Sequence, residues 1–311
     1  MSRYFVTGGA GFIGSHVVRE LVKRRHEVLV FDNFSSGRRE NLEDLKKKIK
    51  IIKGDIRQYN LLKRCMKNAD YVIHLAALVS VPKSVLKPVE TDEINVEGTL
   101  KLLLAAKDNK VKRFVFASSS AVYGEVKDKP IKETDEKIPF SPYGLSKLMG
   151  EYYCRMFTDI YKLGTVALRY FNVYGPNQAL DSQYASVIPN FIVHMLADKR
   201  PPIFGDGHQK RDFVYVKDVV RATLKAATSR QSEGKVFNVA SGRNYEIIKV
   251  VKYLNSITGK DIKPKFLSPR PGDVYKTLAS IGLIKKTIGF KPLTDFKKGL
   301  QETLKYYRGQ S

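Results

Sequence analysis

The chain has 311 residues, 43% hydrophobic and 28% charged, with a formal charge of +24. That is enough for one large or two modest domains with a full core, and it excludes a disordered or fibrous polymer. No apolar run approaches the roughly 18 residues needed to cross a bilayer, and because the opening M-S-R-Y-F-V-T-G-G reads as a strand at once, no signal peptide is expected.

Apolar runs at 4–7, 27–31, 49–53, 71–75 and 113–117 predict buried strands. Between them, segments such as 12–23 and 60–66 repeat apolar residues at helical spacing. Such alternation predicts βαβ units, hence an α/β fold with a parallel sheet covered on both faces. A long helix is predicted from Tyr143 to Tyr161, then a strand at 165–170. Past Asn172 the pattern loosens into loops punctuated by Pro and Gly, with helices predicted at 187–196, 245–258 and 295–306. Cys65 and Cys154 form no C-x-x-C, which argues against a disulfide framework and for a reducing cytoplasm. The 55 basic residues would suit a nucleic-acid binder. They are scattered, however, without aromatic interleaving or zinc-finger spacing, so a solvated surface is expected, with no nucleic acid, metal or membrane partner.

The first strand runs into T-G-G-A-G-F-I-G, where Gly9, Gly11 and Gly14, or Gly8, Gly11 and Gly14, fit dinucleotide-binding spacings. Glycine lets the backbone turn tightly and approach a pyrophosphate, and a helix opening at Phe12 and Ile13 would aim its amides at the phosphates. Asp32, 18 positions after Gly14, ends the next strand where an acid would hold ribose hydroxyls. An acid there repels a 2′-phosphate, so NAD is expected over NADP, although Arg38 and Arg39 lie close by.

Tyr143 and Lys147 stand four apart on one helix face. An ammonium beside a phenol stabilises the phenolate, which makes a general base for an alcohol hydroxyl. The same spacing recurs at Tyr59, Tyr123 and Tyr245, which are expected to be surface pairs. Tyr143 is distinguished by following Ser119 by 24 residues, behind the strand that ends in S-S-S-A-V-Y-G.

Taken together, T-G-G-A-G-F-I-G, F-D-N-F-S-S-G, G-D-I-R, H-L-A-A, S-S-S-A-V-Y-G, S-P-Y-G-L-S-K, R-Y-F-N-V-Y-G-P, R-D-F-V-Y-V-K-D-V and R-P-G-D resemble the nucleotide-sugar epimerase/dehydratase family of extended short-chain dehydrogenases, over essentially the full length. The resemblance implies a Rossmann-type domain from 1–172 plus 212–241, a smaller substrate domain from 173–211 plus 242–311, and a homodimer through helices near 92–109 and 146–161. It implies that Asp32, Asn33, Ser36 and Gly37 hold the adenosine ribose, and that Asp55 and Ile56 flank the adenine. Leu75, Ala76 and Ala77 would line the dinucleotide path, with Asn95, Ser118 and Tyr170 also on the cofactor side. For a UDP-sugar substrate it implies Ser119, Ser120, Tyr143, Asn172, Ser186, Val187, Phe204, Arg211, Arg270 and Asp273.

In such enzymes the strand-end hydroxyl, here Ser119, bonds the sugar 4-hydroxyl while the tyrosinate takes its proton and NAD takes the hydride. Dehydratases resemble T-D-E-V-Y-G at this stretch, and decarboxylases keep the glutamate. Ser120 and Ala121 supply no carboxylate here, so the expected reaction is 4-epimerisation of UDP-glucose and UDP-galactose, with N-acetylated hexosamines also accommodated because Thr277 stands where glucose-only members carry a tyrosine. A UDP-glucuronate epimerase and a nucleotide-sugar reductase or decarboxylase are the alternatives. From another class, the alternative is a non-catalytic nucleotide- or RNA-binding protein on the same scaffold.

Overall fold

Strands rich in Val, Ile and Phe at successive positions are suited to burial on both faces. Seven of them form one parallel sheet: β1 (Arg3–Thr7), β2 (Glu27–Asp32), β3 (Lys50–Lys53), β4 (Tyr71–His74), β5 (Arg113–Ser119), β6 (Thr165–Tyr170) and β7 (Lys235–Val239). Their order is β3-β2-β1-β4-β5-β6-β7. The computed structural model describes residues 1–124, 129–179, 186–269 and 274–309.

Alternate residues of each strand feed opposite cores, as the two-residue period requires. In β5, Val115 and Ala117 join a core with Val17, Val18 and Leu21 of helix α1 (Phe12–Lys23), whereas Phe114 and Phe116 join one with Leu62 of α2 (Tyr59–Cys65), Leu102 of α3 (Gly98–Asp108) and Phe157 of α4 (Pro142–Tyr161). The strand order reverses between β1 and β4, which opens a crevice at the carboxyl ends of the strands, the usual ligand position in such sheets.

Beyond β6 the chain builds a second layer. Asn172–Tyr174 pairs with Phe213–Tyr215, Lys210–Arg211 with Tyr245–Glu246, and Pro202–Phe204 with Lys265–Leu267. Helices α5 (Val187–Leu196), α7 (Ile247–Thr258) and α8 (Phe296–Arg308) close a third core around Phe191, Val250, Leu254, Phe296 and Leu300, while α6 (Val216–Thr228) returns to the α1 side of the main sheet. Among the described residues no helix is long and apolar enough to cross a membrane.

Two expected helices differ. The segment near 92–109 is interrupted by a π-turn at Glu93–Glu97, which carries Asn95, before α3 begins at Gly98. Tyr245 and Glu246 are taken by pairing with Arg211 and Lys210, so α7 starts at Ile247.

Candidate active site

After Thr7 the chain turns through Gly8 at φ +66°, where a Cβ would lie 2.7 Å from the Ala76 amide nitrogen. In α1, a Cβ on Gly14 would stand 2.0 Å from the Gly8 carbonyl oxygen, so only glycine lets the helix abut the turn. Gly11 caps α1 without a side-chain hydrogen bond, and the first turn, with Phe12 and Ile13, contains no acid. The first-turn amides at the positive end of the helix dipole are therefore left for an anion. Leu75, Ala76 and Ala77 run beside this turn, tied to Thr7 by hydrogen bonds from the Leu75 and Ala76 amides. The cradle fits a dinucleotide pyrophosphate.

At the end of β2, the buried Asp32 carboxylate accepts from the Ala10 and Phe34 amides at 2.9 and 2.8 Å. Burial pushes its pKa up, partly countered by those two donors. Gly37 packs against Ala10 and the Asp32 carboxylate, and Ser36 lies exposed beside it. Asn33 donates to Asp55 at 3.4 Å, and the Arg57 guanidinium holds Asp55 at about 2. Ile56 belongs to the core, its side chain against Gly98 of α3, so only its backbone can face an adenine.

Across the crevice, β5 and β6 bring Ser119 into register with Tyr170. The Ser119 hydroxyl accepts from the Ala121 amide at 3.2 Å and lies near enough to the Tyr143 phenol to draw its pKa down against burial. Ser141 caps α4 by accepting from the Gly144 amide at 3.1 Å. A Cβ on Gly144 would fall 2.6 Å from the Ala121 carbonyl oxygen, which shows how closely Tyr143 is drawn to the serine turn. Lys147 is 4% exposed; its Nζ donates to the Ala117 carbonyl at 2.9 Å and lies 5.8 Å from the Tyr143 ring centroid. Burial lowers the Lys147 pKa to about 8, and raises that of Tyr143 against the Ser119 hydrogen bond. Lysine, phenol and serine hydroxyl thus meet at one strand end, an arrangement able to move a proton on and off an alcohol. Ser120 and Ala121, which follow, contribute no carboxylate.

Two residues expected on the cofactor side have their hydroxyls engaged elsewhere. The Ser118 hydroxyl turns away from the crevice to Glu151 at 2.5 Å, inside a buried cluster where Arg169 grips Glu151 with two donors at 2.8 and 2.6 Å and donates to Tyr123. The Tyr170 hydroxyl bonds Thr223 of α6 at 2.7 Å in the core. Nor is Tyr123 a surface residue, being buried on Asn238; Tyr245 is partly buried and stacks on Phe296 at 4.0 Å. Tyr59 is as expected, bonded to Asp108 with Lys63 over its ring.

On the substrate side, the Asn172 amide donates to the Asp212 carbonyl and to the Thr277 hydroxyl, both at 3.2 Å. Ser186 caps α5 just before Val187, and its hydroxyl accepts from Gln178 at 2.9 Å. Phe204 closes a short strand, and Arg211 donates to the Lys210 and Tyr275 carbonyls. Arg270 and Asp273 lie outside the described residues. Sequence reasoning quoted the R-D-F motif but missed Asp212. Its carboxylate collects the Ser241, Gly242 and Ala279 amides and the Ser241 hydroxyl, and burial lifts its pKa to about 6 despite these donors. The partners lie 29 to 67 residues away along the chain, so nothing local signalled the role.

Comparison with known proteins agrees with this geometry. A solved UDP-N-acetylglucosamine 4-epimerase from Methanobrevibacter ruminantium M1, in complex with UDP-N-acetylmuramic acid, is 43% identical with a TM-score of 0.96, covering 100% of this chain and 99% of its own. A UDP-glucose 4-epimerase from Thermotoga maritima, solved with UDP-glucose, is 39% identical with a TM-score of 0.94, covering 99% of each chain. A UDP-N-acetyl-alpha-D-glucosaminuronate decarboxylase from Bacillus cytotoxicus is 35% identical over 98% of each chain. The profile of the NAD dependent epimerase/dehydratase family matches residues 4–240, and with the glycine cradle, Asp32 at the end of β2 and the serine–tyrosine–lysine cluster in place, the chain belongs to that NAD-dependent family.

Proposed function

We propose that the protein is a UDP-hexose 4-epimerase. The observation that carries this reading is the convergence of Ser119, Tyr143 and Lys147 at the end of β5, followed by Ser120 and Ala121 with no carboxylate. When bound on the glycine cradle, with Asp32 toward its ribose, NAD supplies a reversible hydride acceptor for carbon 4 of the sugar. Ser119 orients the sugar 4-hydroxyl, and the Tyr143 oxygen takes its proton and later returns one. Burial pushes the Tyr143 phenol up and the Ser119 hydroxyl opposes it, while the Lys147 ammonium, 5.8 Å from the ring centroid, favours the phenolate. Without an acid and base at 120 and 121, a 4-ketosugar cannot lose water from carbons 5 and 6 and can only be reduced again.

Asn172, Ser186, Val187, Phe204, Arg211, Arg270 and Asp273 hold the UDP moiety, the arginines pairing with its pyrophosphate. Thr277, anchored through its hydroxyl to Asn172 and the Asp212 amide, is small enough to leave space for an acetamido group, which supports UDP-N-acetylglucosamine beside UDP-glucose as substrate. The nucleotide-binding domain comprises 1–172 plus 212–241 and the substrate domain the remainder. The enzyme works as a cytoplasmic homodimer. Exposed Leu145, Tyr152 and Ile160 along α4 support the pairing face, and the unpaired Cys65 and Cys154 support the reducing compartment.

The test is proton NMR of the anomeric signals after incubating the purified protein, without added cofactor, with UDP-glucose, UDP-N-acetylglucosamine or UDP-glucuronate. New signals from a 4-epimer are expected. Unchanged sugars even after NAD is added, or release of carbon dioxide from the glucuronate, would overturn the reading.

A further inference from the structure

The H-L-A-A motif contributes Leu75, Ala76 and Ala77 to the cofactor path, but the histidine has no part in the reaction just described. His74 ends β4, is 1% exposed and lies between the rings of Phe114 and Phe116. Its Nδ1 is 2.8 Å from the Thr7 hydroxyl and its Nε2 is 2.9 Å from the Thr99 hydroxyl.

The direction of these bonds follows from the donor inventory. Thr99 Oγ1 is 2.5 Å from the Asn95 carbonyl oxygen, which can only accept, so its single proton is used there. Thr99 must then accept from His74, which puts the ring proton on Nε2 and leaves Nδ1 to accept from Thr7. The Thr7 oxygen in turn accepts from the Ala76 amide at 3.3 Å. Asn95 exchanges hydrogen bonds with both backbone groups of Leu78, at 2.8 and 3.0 Å, and donates to the Ser146 hydroxyl at 3.0 Å. Ser146 donates to the Tyr143 carbonyl at 2.8 Å. The chain of bonds therefore begins where β1 enters the phosphate turn and ends on the backbone of the catalytic tyrosine. Burial and the Lys147 ammonium hold the imidazole neutral, with its pKa at about 3.

We propose that His74 is a positioning residue: as the neutral Nε2–H tautomer, it holds the phosphate-binding turn and the Tyr143 end of α4 in fixed register, through Thr7 on one side and Thr99, Asn95 and Ser146 on the other. The proposal rests on the epimerase reading for its kinetic arm only. A histidine that merely filled the core would not require one tautomer, nor separate effects from its two links.

In ¹⁵N-histidine-labelled holoprotein, the His74 ring, assigned by its loss in His74→Gln, should show Nε2–H and should not titrate between about pH 8 and 5, unlike an exposed histidine. Thr99→Val keeps the shape but removes the hydroxyl that accepts from His74 and donates to the Asn95 carbonyl, so it severs the arm that runs from the ring toward Tyr143. It should lower kcat about tenfold while KM and NAD content stay within about twofold of the parent. Thr7→Val cuts the other link and should lower the NAD content instead. An Nδ1–H or cationic ring overturns the proposal, as does parental kcat in folded, NAD-loaded Thr99→Val. Should the unaltered holoprotein turn over no nucleotide sugar, the epimerase reading fails while the ring tautomer still decides this inference.

Discussion

Replacing Lys147 by methionine should make the folded chain more stable while disabling it. The ammonium is sequestered beneath β5, and burial lowers its pKa from 10.5 to about 8. At about 1.36 kcal/mol per pKa step, keeping it charged in the fold costs about 3 kcal/mol at pH 7 relative to the unfolded chain. Methionine removes that cost and fills a similar volume, but loses the bond from Nζ to the Ala117 carbonyl, worth about 1 kcal/mol. The net expectation is a variant about 2 kcal/mol more stable at pH 7. The sign with pH follows from the direction of the shift. Between about 8 and 10.5 the unfolded parent keeps a proton that the folded parent has released, so parental stability rises with pH across that window. The advantage of Lys147→Met should therefore shrink above pH 8 and vanish near about pH 10. Urea unfolding of cofactor-free parent and variant at pH 7 and 10 measures this directly, provided the m-value is unchanged. A methionine variant equal to or weaker than the parent at pH 7, or a gap that does not shrink with pH, would refute the reasoning.

Tyr143→Phe should keep NAD, since the ring remains, yet lose about 10²- to 10⁴-fold in kcat, read by single-turnover NMR of the sugar. Gly14→Ala should empty the cofactor site, because its Cβ would meet the Gly8 carbonyl at 2.0 Å; nucleotide released on denaturation reports it. Arg169→Met strands the Glu151 carboxylate, whose side chain is 3% exposed, and should cost about 3–5 kcal/mol by urea unfolding. Tyr152→Glu places a charge on an exposed apolar position of α4 and should give monomers in sedimentation, with little change in the fold.

The alternation of apolar strands and amphipathic helices, and the glycine spacing before α1, are local properties, so they can be read along the chain. The predicted helix at 12–23 matches α1, and the predicted strand at 165–170 matches β6. Side-chain direction at the strand ends is a different matter. Sequence placed Ser118 on the cofactor side and Ser119 at the reacting hydroxyl, but only the pleat shows that the Ser118 hydroxyl enters the Glu151–Arg169 cluster while Ser119 lies near Tyr143.

The sequence by itself determined the alternation of strands and helices in the first half, the glycine turn before α1 and the spacing of Asp32, Ser119, Tyr143 and Lys147, because each depends on neighbours within one turn, one strand or one βαβ unit. Only the tertiary structure decided which polar groups share a proton network. Thr7, His74, Thr99 and Ser146 are separated by dozens of residues, and only the sheet and its covering helices bring them within hydrogen-bond distance. Burial likewise arises from packing rather than spacing, and it is burial that lowers Lys147 to about 8, raises Asp212 to about 6 and holds His74 neutral.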